Sequence, residues 1–237
     1  MVDLARNFQQ VSKRIASAAQ RVGRETTDIT LVAVSKTRPS EEIAAAALAG
    51  AAEFGENYVQ ELCDKQQALA ALTPQPRWHF IGHLQRNKVR LVVPFCSLIE
   101  VVDSLPLAAE ISRRAAQIGR VQPVLLQVDL AGEETKFGCP EADMPALAGA
   151  LAALPSVDWQ GLMTIPPFGE DPEQSRPYFQ RLARLRDELI DRGIPVHHLR
   201  HLSMGMSNDF EIAIEEGATL VRIGTAIFGP RTQRPQT

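Results

Sequence analysis

Residues 30–51 read TLVAVSKTRPSEEIAAAALAGA. An apolar, β-branched run (30–35) ends on a lysine, crosses a polar turn, and passes into an alanine-rich segment with Glu41 and Glu42 near its start. The first part suits a strand buried on both faces. The last part predicts a helix from Pro39, with Ser40 as its N-cap and acids in its first turn. A strand followed by a helix is half of a parallel unit, because parallel neighbours need a crossover connection. The turn between them, SKTRPS (35–40), contains no glycine. It therefore lacks the glycine-rich turn that opens a doubly wound nucleotide-binding sheet.

The same alternation recurs along the chain. Further strands are expected at 52–54, 78–81, 98–102, 123–129, 158–163, 198–203 and 219–223. A helix from about 172 to 191 presents Phe179, Leu182, Leu185 and Leu189 on one face, and Gly193 and Pro195 stop it. Ahead of the first strand, Leu4, Phe8, Val11, Ile15, Ala18 and Val22 fall at helical spacing over residues 3–22. Open doubly wound sheets usually have about five or six strands, whereas a set of about eight closes. The expectation is an α/β chain: a single (β/α)8 TIM barrel with an extra N-terminal helix. No linker divides it, so one domain is expected over 1–230, with a mobile tail at 231–237.

The bulk properties agree with this and exclude several classes. The length of 237 residues is close to the roughly 250 of such barrels. A net charge of −3 offers no basic excess for nucleic acid. No uninterrupted apolar run approaches the roughly 18 residues of a membrane span, and the charged N-terminus does not read as a signal peptide. Cys63, Cys96 and Cys139 are odd in number and lack metal spacing, which suits a reducing cytoplasm. His79 and His83 sit on a strand and its turn, where a four-residue spacing does not align them on a metal. The basic run QRNKVR (85–90) reads as a solvated face.

Barrels of this kind place their active sites at the C-terminal ends of the strands. The residues there include Ser35-Lys36, Gly55-Glu56-Asn57, Gly82-His83, Asp103-Ser104, Asp129, Met163-Thr164, the run from Ser203 and Met204 to Ser207, and Gly224-Thr225. An amine at such a mouth is partly desolvated, which disfavours the ammonium and makes it nucleophilic toward carbonyls. The loops after the seventh and eighth strands are a frequent phosphate site. There, Ser207 is placed to cap the helix that follows, and Gly224 and Thr225 offer N–H donors and a hydroxyl. Asp209 lies close to such an anion and is expected to point away or serve its own helix. Arg222 stands inside the apolar run TLVRI, where an unpaired guanidinium costs several kcal/mol, so it must face a carboxylate or a ligand. A lysine, a phosphate cradle and an arginine match the aldehyde, phosphate and ring nitrogen of pyridoxal phosphate.

The segments LVAVSKTRP, EFGENYVQE, WHFIGHLQRNK, GLMTIPP, LSMGMSNDFEIAI and VRIGTAIFG closely resemble the pyridoxal phosphate homeostasis protein family, over about residues 29–229. That family is related to the barrel domain of alanine racemase. The resemblance implies an alanine-racemase-like (fold type III) barrel holding pyridoxal 5'-phosphate as a Schiff base on Lys36. It also implies phosphate contacts from Ser207, Gly224 and Thr225, Arg222 near the pyridine nitrogen, and Asn57 close by. Ser203 and Met204, which open the same loop, join the candidate cofactor contacts. The implied role is intracellular pyridoxal phosphate homeostasis, with buffering or delivery to apo-enzymes and balance of amino-acid pools. The expected lack of the racemase's second domain suits a monomer, and the unpaired thiols suit the cytoplasm.

Two enzymatic readings compete: an amino-acid racemase on the same cofactor, and a class I aldolase-type barrel using Lys36. Arginine at the ring nitrogen discourages its protonation and weakens the electron sink. Racemisation also needs a proton donor on each face of the substrate carbon. The chain's two tyrosines, Tyr58 and Tyr178, fall in expected helices. Alanine racemase draws one of its donors from a second domain, and a chain ending at Thr237 is not expected to carry one. Lys136, in the ETKFG loop after the fifth strand, is a candidate second amine for handing the aldehyde on.

Overall fold

The computed structural model describes residues 3–132 and 137–230. Helix α1 (Leu4–Arg21) is capped by Asp3, whose carboxylate accepts the Arg6 N–H at 3.0 Å. Then follow β1 (Thr30–Val34), α2 (Ser40–Leu48), β2 (Glu53–Glu56), α3 (Val59–Ala68), β3 (Arg77–Phe80), α4 (Val89–Val92), β4 (Cys96–Val102) and α5 (Leu105–Gln117). The second half runs β5 (Gln122–Asp129), β6 (Cys139–Pro140), α6 (Met144–Ala152), β7 (Val157–Met163), α7 (Arg176–Asp191), β8 (His201–Ser203), α8 (Phe210–Glu215), β9 (Leu220–Ile223) and α9 (Thr225–Phe228). Among the described residues all strand pairs are parallel, in the order β4-β3-β2-β1-β9-β8-β7-β5, and β4 pairs again with β5. That last pairing closes eight strands into a (β/α)8 barrel. The two-residue β6 adds to β5 outside the ring.

Apolar strand residues such as Val32, Phe54, Ile99, Leu126 and Val221 are fully buried, since helices cover one face and opposite strands the other. Helix α1 buries Val11, Ile15, Ala18 and Ala19, and full burial of a Val or Ile side chain contributes about 2 kcal/mol. Arg14 and Arg21 on α1 pair with Glu211 and Glu215 of α8, and the Asn7 amide donates to the Ile227 carbonyl of α9. The extra helix therefore covers the last βα units.

Several expectations need correction. Ser40 is the first helical residue of α2, and Pro39, in extended conformation, is the N-cap with its carbonyl accepting the Glu42 N–H. The segment from Pro172 begins as a 3-10 turn (Pro172–Ser175), and α7 proper starts at Arg176. Pro177 explains this, because a residue without an N–H is tolerated only in a first turn. The strand expected at 198–203 starts at His201. Val196–His198 form a 3-10 turn instead, with the His198 ring stacked on Trp159 at 5.6 Å. The second strand extends to Glu56, pairing with both β1 and β3. Val22 caps α1 and is exposed rather than part of its buried stripe, and Tyr58 is the exposed N-cap of α3. Lys136 and the tail at 231–237 lie outside the described residues.

Candidate functional site

A cavity of about 300 Å³ opens over the C-terminal ends of the strands, walled by the segments after β1, β2, β3, β7, β8 and β9. Six residues singled out from the sequence meet there: Lys36, Asn57, Ser207, Arg222, Gly224 and Thr225. Lys36 follows β1 directly, held by strand pairing that continues through the Ser35 N–H to the Gly55 carbonyl at 3.0 Å. Asn57 follows β2, and its side-chain Oδ1 is buried without a hydrogen-bond partner. A buried acceptor left open costs about 1–3 kcal/mol, which a donor brought by a ligand would offset.

The loop after β8 depends on Gly205, at φ +92°. A Cβ there would lie 2.5 Å from Cβ of Ala213 and 2.9 Å from Cα of Phe210, so the loop packs flat against α8 only with glycine. Ser207 does not cap α8 as expected. Its Oγ accepts the Ala226 N–H at 3.2 Å and so satisfies the first turn of α9, joining the loops after β8 and β9. Its own hydroxyl proton remains available to an anion. Asp209 makes no capping bond into its helix's first turn. Its carboxylate accepts from the Met206 N–H at 2.6 Å and the Ser175 hydroxyl at 2.7 Å, and the residue lines the cavity.

Ser203 and Met204 do not line the cavity. Met204 is fully buried, with its N–H donated to the Leu220 carbonyl at 3.1 Å, so that amide is already committed. Ser203 lies behind Arg222: Nη1 of Arg222 donates to Ser203 Oγ at 2.6 Å, and Nη2 to the Thr164 carbonyl at 2.8 Å. The Ser203 hydroxyl in turn donates to Oε2 of Glu100 at 2.5 Å. Strands β8 and β4 are not neighbours, so this bond crosses the barrel interior. From Glu100 the chain of contacts continues through His79 to Glu53 and then to Arg77.

Charges alternate along this line, which is how a barrel can bury them. Burial pushes the Glu100 and Glu53 carboxyls up, but hydrogen bonds from His79 and its charge outweigh that, and both end below the ordinary range. Arg222 is lowered from the usual guanidinium value by burial, partly offset by the charges of Glu100 and Asp209.

Arg222 is thus bonded to a hydroxyl and a backbone carbonyl rather than directly to a carboxylate; the Glu100 carboxylate stands behind the hydroxyl, and Arg222 also lines the cavity. Glu100 escaped notice, and His79 was weighed only as a metal ligand and not as the link between two buried carboxylates, although the signal existed. Glu100 interrupts the apolar run LIEVV just as Arg222 interrupts TLVRI. Asp209, already placed near the anion by its position in the chain, lines the cavity, and Ser175 and Arg38 also reach its wall, from a helix start and a turn whose spacing in the chain gives no hint of convergence.

The family model for the alanine racemase N-terminal domain matches residues 6–232. The chain is 48% identical to the pyridoxal phosphate homeostasis protein of Aquifex aeolicus over 224 residues, covering 94% of this chain and 96% of that one. It is 42% identical to the protein of the same name from Escherichia coli, covering 98% of each. The solved structure of PipY from Synechococcus elongatus with PLP bound superposes with a TM-score of 0.82 at 38% identity, covering 92% of this chain and all (100%) of that one. Alanine racemase from Streptomyces coelicolor shares the fold, with a TM-score of 0.67 at 17% identity over 95% of this chain and 58% of its own.

Proposed function

The chain belongs to the pyridoxal phosphate homeostasis protein family, and on that premise we propose that it binds pyridoxal 5'-phosphate in this cavity and serves the balance of that cofactor. The observation that carries the reading is the convergence, in one cavity, of the Lys36 amine, the Arg222 guanidinium and an Asn57 amide oxygen with no protein partner. These residues fit the group. An amine suits an aldehyde, an unsatisfied acceptor suits a ring hydroxyl, and hydroxyls beside a glycine suit a phosphate.

Bound here, pyridoxal phosphate supplies an aldehyde carbon that a primary amine attacks with loss of water. Lys36 supplies that amine at the tip of β1. Ser207, Gly224 and Thr225 present hydroxyl and backbone groups from two loops that the Ser207–Ala226 bond holds in register. Gly224 packs closely against β1, since a Cβ there would sit 3.3 Å from the Val34 carbonyl oxygen. Arg222 places a positive charge on the cavity wall, held by Ser203 and Thr164 so that it does not swing toward solvent. A positive charge at the ring nitrogen opposes a proton there, which favours holding the cofactor over carbanion chemistry.

The same proposal includes a cytoplasmic monomer that releases the cofactor to apo-enzymes, with three free thiols, Cys63, Cys96 and Cys139, supporting a reducing compartment. Borohydride reduction of the protein mixed with pyridoxal phosphate, followed by peptide mass mapping, tests the core of it. A pyridoxyl phosphate adduct on Lys36 is the expected result. A labelled protein with Lys36 unmodified overturns the assignment.

A further inference from the structure

Both neighbours of Lys36 are tied down by groups from β2 and α3. On one side Ser35 is fully buried. Its hydroxyl donates to Glu56 Oε1 at 2.6 Å, and its carbonyl accepts from Lys65 Nζ at 2.8 Å. On the other side the Thr37 N–H donates to Glu61 Oε2 at 2.8 Å. Thr37 holds φ +64°, a left-handed conformation that a β-branched residue rarely adopts. Lys65 joins the two halves, since its Nζ also donates to Glu56 at 2.7 Å and to Glu61 at 3.0 Å. Its ammonium, only 6% exposed as a residue, thus uses all three donors on acceptors around one turn.

We propose that Lys65 and Glu61 form a clamp that fixes the main chain on both sides of Lys36 and so aims its amine into the cavity, an inference that rests on Lys36 taking the aldehyde. Both are positioning residues, and neither is part of the cavity wall. The clamp grips main-chain atoms of residues 35 and 37, so it constrains where the Lys36 backbone sits while leaving its side chain to the ligand. General stability does not account for the arrangement: a buried cation between two carboxylates is often no better than apolar packing of the same volume. Strained backbone persists where its surroundings over-determine it, and the Glu61 carboxylate is the group that holds the Thr37 amide. In the step the clamp serves, the Lys36 nitrogen bonds the aldehyde carbon and the aldehyde oxygen leaves as water. The clamp contributes no atom to it, but an error of about 1 Å in such placement can cost about a hundredfold.

The test compares pyridoxal phosphate with pyridoxine phosphate, which carries a hydroxymethyl group in place of the aldehyde and cannot bond Lys36. In the full chain, Glu61→Ala should weaken pyridoxal phosphate binding about tenfold while pyridoxine phosphate changes by less than about twofold. Without ligand, amide hydrogen exchange at Thr37 should accelerate about tenfold or more in the same variant. Glu61→Gln should restore most of both effects, because an amide oxygen still accepts the Thr37 N–H. Lys65→Met should show the same split between ligands. Should it fail to fold, Glu61→Ala decides alone, since it leaves Lys65 still paired with Glu56. Equal losses for both ligands, or no loss for either, overturn the clamp. Absence of a borohydride adduct on Lys36 in the unsubstituted protein overturns the underlying reading and the clamp with it, whereas an adduct there with unaffected variants overturns the clamp alone.

Discussion

Nδ1 of His79 lies 2.6 Å from Oε1 of Glu100, both side chains enclosed by the barrel strands. Nε2 of the same ring is 3.2 Å from Glu53. Burial by itself would push the imidazolium down, but the hydrogen bonds and charges of Glu100 and Glu53 outweigh it and hold His79 up at about 9, against an ordinary 6.5. Because the folded value is the higher, protonation favours the folded state. That contribution is complete below about pH 6.5 and is lost as pH rises through about 9. The difference in denaturation midpoint between the native chain and His79→Leu should therefore shrink across that interval. At neutral pH the substitution should cost about 3–5 kcal/mol, since it leaves Glu100 buried without its cation. A difference that stays level from acid to pH 9.5, measured by urea denaturation, would show that the imidazole is not charged in the folded protein.

Ser203→Ala removes the hydroxyl shared by Arg222 and Glu100. The expected loss of stability is about 1–3 kcal/mol, because two buried charged groups lose a partner at once. Pyridoxal phosphate affinity should fall severalfold although Ser203 does not line the cavity, since Arg222 keeps only its Thr164 tether. Titration by calorimetry, with unchanged affinity as the contrary result, checks this.

For Asn57→Ala one readout should move and the other should not. The side-chain oxygen has no partner in the folded chain, so its removal should cost little thermal stability without ligand. With pyridoxal phosphate, the affinity should drop about five- to tenfold as one hydrogen bond is lost. A large fall in the unliganded melting temperature together with unaltered binding would assign Asn57 to the scaffold alone.

Gly205→Ala should destabilise the protein by about 2–4 kcal/mol, combining a backbone forced to φ +92° with a methyl driven into Ala213. The Gly205 carbonyl accepts the Arg222 N–H at 2.9 Å, so relief by moving this loop also disturbs the cavity wall. Chemical denaturation gives the stability, and the affinity for inorganic phosphate reports the wall. A variant as stable as its parent would contradict the packing argument.

Much of the fold was legible because its local signals agree. The run at 30–35 became β1, the stripe at 3–22 became α1, and the eight apolar runs became the eight barrel strands within a few residues. The misplacements share a cause, in that a tertiary partner or a ring outweighed local pattern. Trp159 draws His198 into a stacked turn ahead of β8, and Pro177 delays α7. In the site, Lys36, Arg222 and the Ser207 loop stood out because each puts a polar group where the chain is otherwise apolar or tightly turned. Ser203 and Met204 have the same strand-end position, yet the pleat turns one behind Arg222 and buries the other.

What the sequence determined by itself was the alternation of strand and helix, and with it the end of the barrel at which the lysine tip and the phosphate-suited loops must gather, because periodicity and turn chemistry are local properties of the chain. Only the tertiary structure decided which groups touch: Glu100 reaching Ser203 across the interior, Ser207 serving α9 instead of α8, and Glu61 gripping Thr37. These are contacts between residues up to 103 positions apart. Closing the strands into a ring sets those distances, and no window along the chain contains them.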